Sequence, residues 1–170
     1  RYITFQGRPG GVWHIALNMR GLYFLGTPLE RLWGPKRFLR FYLTCGVVAG
    51  LAYVVIGSLS QQLPPTMPII GASGGVYGVI LAAAVLFPHF MIIFLFFPVP
   101  IRLAAIIIFG AMVLTVLQAF GAGRIGAAMS DVAHLGGAVA AAVWIWGAPN
   151  MKRRMNVSTQ RRREGAWKRK

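Results

Sequence analysis

The chain has 170 residues, 56% of them hydrophobic and 12% charged, with a mean hydropathy of +0.62 and a formal net charge of +15. That balance excludes an ordinary soluble domain and points to an all-α, polytopic membrane protein with one membrane domain. It also argues against nucleic acid as a partner: nine of the eighteen basic residues lie in 152–170 and four between 31 and 40, beside apolar runs, the pattern produced by the positive-inside rule and by attraction to anionic membrane lipids.

Residues 1–12 are polar and rich in Gly and Pro and read as a loop. The first residue is Arg1 and no cleavable signal precedes the first apolar stretch, so the chain is expected to be a fragment of a longer one. Trp13 opens an apolar stretch that runs to about Leu29 and is interrupted by His14, Asn18 and Arg20. His14 and Asn18 are four residues apart and share one helical face. Polar groups in a membrane helix are costly, so such a face either packs against a polar interior or marks a function.

Glu30 to Arg40 reads as a basic loop with Gly34-Pro35 as its turn, and Phe38 to about Ser60 as a full-length span. Cys45, the single cysteine, lies in that span and reads as a small core residue. Residues 61–72 contain Pro64, Pro65 and Pro68, cannot be helical throughout, and lead into Ser73. The apolar stretch after Ser73 ends before Pro88. It is short for a crossing of roughly 30 Å, which predicts a central helix that starts below the membrane surface. His89 to Pro100 is expected to be an irregular interfacial stretch, with His89 structural. Ile101 to Phe120 is the next span, 121–130 a Gly-rich loop, and Asp131 to Ala148 the last span, ended by Pro149. The expected division is a membrane domain over 1–148 and a basic, cytoplasmic-side tail over 149–170.

Placing the tail and the 31–40 segment inside fixes the direction of each helix. His14, Ser73 and His134 then fall near the outer ends of three helices, at one level. A serine hydroxyl is a weak nucleophile and needs a base, for which a neutral histidine is suited. His134 is the expected base. Glycines on both helices, Gly74 and Gly78 beside Ser73 and Gly136 and Gly137 beside His134, permit close approach. The backbone N–H of Ser73 at a helix start, with the side chains of His14 and Asn18, would supply donors to an oxyanion. Asp131 reads as a helix cap and not as a third member, which leaves a Ser-His dyad. No Cys, His and carboxylate spacing suggests a metal, and no cofactor is expected.

In combination these motifs resemble those of the rhomboid family of intramembrane serine proteases. Gly71-Ala72-Ser73-Gly74 resembles the family's GxSG nucleophile motif, and Ala133-His134-Leu135-Gly136-Gly137 its AHxGG motif. His14 and Asn18 resemble the HxxxN pair used at the oxyanion, and Tyr77 the tyrosine that stacks on the catalytic histidine. Glu30 and Gly34 resemble the family's ExxxG, and Arg1 the arginine of its loop motif. Two departures stand out: Arg8-Pro9-Gly10 where many relatives carry a histidine, and Arg20 inside the helix. The resemblance implies a rhomboid-like helical bundle with five of the six core transmembrane helices present. It implies an endopeptidase whose substrates are transmembrane segments with small residues at the cut and locally unstable helices, admitted between helices from the lipid; the Gly-rich 121–130 loop and the 101–120 helix are the expected gate. The alternative is a non-proteolytic relative that escorts membrane proteins. The expected location is a bacterial plasma membrane with the basic tail cytoplasmic.

Overall fold

In a computed structural model of the chain, residues 9–61, 72–94 and 97–147 are described. Helix α1, Pro9–Gly21, passes through a π-helical turn, Leu22–Gly26, into α2, Thr27–Trp33. Then come α3, Pro35–Ser60; α4, Ser73–Leu86; a hairpin of β1, Met91–Phe94, and β2, Phe97–Pro100; α5, Ile101–Gly121; a 3-10 turn, Ile125–Ala128; and α6, Met129–Gly147. The protein is an all-α membrane protein. Among the described residues, three helical segments are long and apolar enough to cross a membrane: Pro35–Ser60, Ile101–Gly121 and Ile125–Gly147.

Four expectations are corrected by these elements. Residues 9–12 are not loop but the first turn of α1, which Pro9 opens. Glu30 to Arg40 is not a loop but helix on both sides of one residue, Gly34, whose φ of 81° and ψ of 156° suit glycine alone. The Gly34 N–H donates to the Glu30 carbonyl at 2.7 Å to close α2, and Pro35, with no N–H to lose, opens α3. The 88–100 stretch is not irregular throughout: β1 and β2 pair antiparallel, with Met91 opposite Pro100 and Phe94 opposite Phe97. Pro98 and Pro100 are two apart and occupy the same class of ladder position on a strand with a single partner, where a proline need cost no hydrogen bond. The 121–130 segment is not an open loop either. It turns at Gly123, φ 63°, and its 3-10 turn is pinned by buried Ile125, Ala128 and Met129.

Helix α4 is the centre of the bundle. Its 14 residues span only about 21 Å, and nine of them are buried, including Ser73, Gly74, Gly75 and Gly78. It packs chiefly against α6 and α3. On α3 the buried residues Phe41, Cys45, Ala49, Tyr53 and Gly57 recur every fourth position, a single stripe facing inward.

The clusters fix the helix directions. At one end Phe41 of α3 touches Trp33 and Trp144 edge-on, at 4.9 and 5.9 Å between ring centroids, in a core that also holds Ile101 and Ala105 of α5. Near the other end Tyr53, Ile125 and Met129 form a smaller cluster with Val116 and Ala133. Thus α4 and α6 run parallel, and α3 and α5 run against them.

Candidate active site

Ser73 is the first residue of α4 and is 7% exposed. A first-turn N–H has no partner within its helix, so the Ser73 amide stands beside its hydroxyl as a second donor. His134 lies in the second turn of α6, and its Nε2 is 3.0 Å from Ser73 Oγ. Its Nδ1 is buried and has no hydrogen-bond partner among the described residues.

The short distance follows from small residues at the helix crossings. A Cβ at Gly137 would collide with the Gly74 carbonyl oxygen, and one at Gly74 would collide with the Ala49 methyl. A Cβ at Gly136 would sit 2.8 Å from Cβ of Ala52, and one at Gly78 would sit 2.8 Å from Cβ of Cys45. Real Cβ atoms do not approach so closely. The α4 and α6 backbones therefore touch, with α3 fitted along the same line through Ala49 and Ala52, and this carries the imidazole to the hydroxyl.

Tyr77 lies one turn after Ser73 and presents its ring to the same imidazole, 4.0 Å between centroids and inclined by 31°. Phe109 of α5 packs edge-on behind Tyr77 at 6.2 Å. Serine and tyrosine four positions apart thus hold one histidine by its edge and by its face.

His14 is exposed and Asn18 half-buried on α1, whose helix meets α4. Asn18 Nδ2 donates to the His14 carbonyl at 2.8 Å, which uses one of its two N–H groups. Among the described residues no hydrogen bond joins His14 or Asn18 to Ser73 or His134. Asp131 is the third residue of α6, in its first turn and not at its cap, a correction to its reading as a cap; it makes no hydrogen bond to His134. Gly71, Arg1, Arg8 and the 149–170 tail lie outside the described residues.

Two contributors escaped sequence reasoning. Tyr42 fills the space that Gly75 leaves, and its hydroxyl donates to the Ala72 carbonyl at 3.4 Å, just before the serine. Phe109 backs Tyr77 from a helix with no polar motif of its own. The four-residue period of small and aromatic residues on α3 marks that helix as one that packs inward, but Tyr42 lies beside that stripe and not on it; for Phe109 no local signal exists.

An arrangement of this kind can move a proton from a hydroxyl to an imidazole while the hydroxyl oxygen attacks an electrophilic carbon. Comparison with known proteins adds the lineage. Residues 1–150 match the family model described as the Rhomboid domain. The RHOMBOID-like protein 12, mitochondrial, of Arabidopsis thaliana is 33% identical over 144 residues, covering 76% of this chain and 40% of the relative. Rhomboid protein 1, mitochondrial, of Saccharomyces cerevisiae is 31% identical over 134 residues, covering 79% of this chain and 37% of the relative. Rhomboid protease GluP of Bacillus subtilis is 35% identical over 68 residues, 40% of this chain and 12% of the relative. The chain therefore spans less than half the length of these relatives. No solved structure gives a significant match. The expectation of a bacterial plasma membrane is not supported, because relatives that cover about three quarters of the chain carry mitochondrial or chloroplastic names.

Proposed function

This chain belongs to the rhomboid family, and we propose that it is an intramembrane serine endopeptidase that cuts transmembrane segments of other membrane proteins with a Ser-His dyad. The observation that carries the reading is the 3.0 Å approach of His134 Nε2 to Ser73 Oγ, with Tyr77 stacked on the same imidazole. Ser73 Oγ attacks the scissile carbonyl carbon as its proton passes to His134 Nε2. The tetrahedral oxyanion takes hydrogen bonds from the Ser73 N–H, aided by the N-terminal dipole of α4, and from the side chains of Asn18 and His14. Collapse breaks the C–N bond, and Nε2 returns its proton to the leaving amine, which gives an acyl-enzyme. Water then attacks the ester with His134 again as base, releasing the carboxylate product and restoring Ser73.

Burial of the dyad near one end of the bundle suits a peptide bond that has unwound from a substrate helix close to a membrane surface. Small residues at the cut fit a site built from touching backbones, where little room remains for a large side chain. The domain extends over 1–148 in this reading, with the basic 149–170 tail on the face of negative surface potential.

The test is labelling of the purified protein by a fluorophosphonate probe. Wild type is expected to label, and Ser73→Ala and His134→Ala to lose labelling while keeping the wild-type melting profile. Absence of labelling in folded wild type would instead favour a non-proteolytic escort, with Ser73 a packing residue.

A further inference from the structure

Between the second half of α4 and the first half of α5 lies an open cleft of about 530 Å³ that the proposed chemistry does not use. Its walls are apolar, Leu81 and Val85 from α4 and Ala105, Ile106 and Phe109 from α5, with one exception, Arg102. The cleft exists because α5 is held loosely: its buried residues are Ile101, Ala104, Ala105 and Met112, and most of its other large side chains face outward.

Arg102 is exposed at the start of α5 and has no acidic partner or hydrogen-bond acceptor among the described residues. It stands at the same end of the bundle as Lys36, Arg37 and Arg40 at the start of α3, because α3 and α5 run in the same direction. A guanidinium at a membrane interface beside an apolar slot is complementary to a molecule with an anionic head and a hydrocarbon tail. A free phosphate would satisfy the charge and leave the slot unfilled.

We propose that this cleft binds one anionic phospholipid, its phosphate on Arg102 and one acyl chain lying between α4 and α5 as far as Phe109. The seven residue steps from Arg102 to Phe109 span about 10 Å of helix, so the upper part of an acyl chain occupies the slot. The far wall of the slot is also the back of the catalytic site. Phe109 touches Tyr77 and Tyr77 stacks on His134, so a chain pressed against Phe109 steadies the imidazole. That coupling rests on the dyad proposed above; the lipid site itself does not.

The experiment is native mass spectrometry of the purified protein released from micelles containing phosphatidylcholine and phosphatidylglycerol, alongside fluorophosphonate labelling in vesicles of phosphatidylcholine with and without phosphatidylglycerol. Wild type is expected to retain phosphatidylglycerol. Arg102→Gln should weaken it about fivefold, the effect of one interfacial cation. Ile106→Trp, at an exposed position that fills the slot, should displace it, and Arg40→Gln, which removes a charge from the same end but outside the cleft, should keep it. Retention by Arg102→Gln equal to wild type, or an equal loss in Arg40→Gln, would overturn the site. Labelling should be faster with phosphatidylglycerol in wild type, and that gain should need more phosphatidylglycerol in Arg102→Gln. A protein that binds the lipid but labels at the same rate would overturn the coupling. Labelling in phosphatidylcholine alone tests the dyad separately.

Discussion

Nδ1 of His134 has no protein acceptor among the described residues, and this decides how the imidazole is oriented. In a triad a carboxylate fixes ring and tautomer; here the Tyr77 ring fixes the plane, and contact between the α4 and α6 backbones fixes the position. The consequence is measurable with an assay for cleavage of a single-span substrate. Asp131→Asn should change kcat little, whereas removal of a true third member costs about 10⁴-fold. His134→Ala should cost about 10²–10⁴-fold as loss of the general base. Asn18→Ala should lower kcat about 10²–10³-fold with KM little changed, as expected of a donor that strengthens in the transition state. Equal losses in Asp131→Asn and His134→Ala would mean that the carboxylate acts in the reaction.

At the scale of elements, the glycines divide into those under contact and those in open space. Gly137→Ala would press a methyl into the Gly74 carbonyl and should destabilise by about 1–3 kcal/mol or more through overpacking. Gly110→Ala on α5 and Gly50→Ala on α3 meet nothing within 4 Å and should be neutral or stabilising by roughly 0.4–1 kcal/mol. Gly34→Ala also meets nothing, yet should cost about 1–3 kcal/mol because its φ of 81° excludes a side chain. Thermal unfolding in detergent ranks the four; a Gly110→Ala variant as damaged as Gly137→Ala would refute the packing explanation. The same division explains what could be read in advance. Short α4 was legible because Pro88 stops its apolar run and Ser73 with its glycines opens it, and α5 and the last span because proline and glycine bound them. The hairpin was not, since an apolar run holding three prolines has no clear period. The 121–130 segment looked like a loop from its glycines. What orders it is burial of Ile125 and Met129 against Tyr53, a contact across more than seventy residues of sequence. In the site, serine, histidine and tyrosine were legible as motif residues, while Tyr42 and Phe109 act only through tertiary contact.

For the whole molecule, parallel α4 and α6 place serine and histidine at one end of the bundle, and α3 and α5, running against them, place Lys36, Arg37, Arg40 and Arg102 at the other. On the function proposed above, the basic flanks stay on the side of negative potential and the Ser73–His134 pair faces the opposite side. On that same proposal, the cut falls in the half of a substrate span nearest that face. The most direct measurement is to reconstitute the purified protein in vesicles with a single-span substrate of fixed orientation and identify both products by mass spectrometry. The expected result is one principal cut, in the half of the span remote from the basic face, absent in Ser73→Ala and His134→Ala. Intact substrate with folded wild type, or a cut that survives Ser73→Ala, would contradict an intramembrane serine protease.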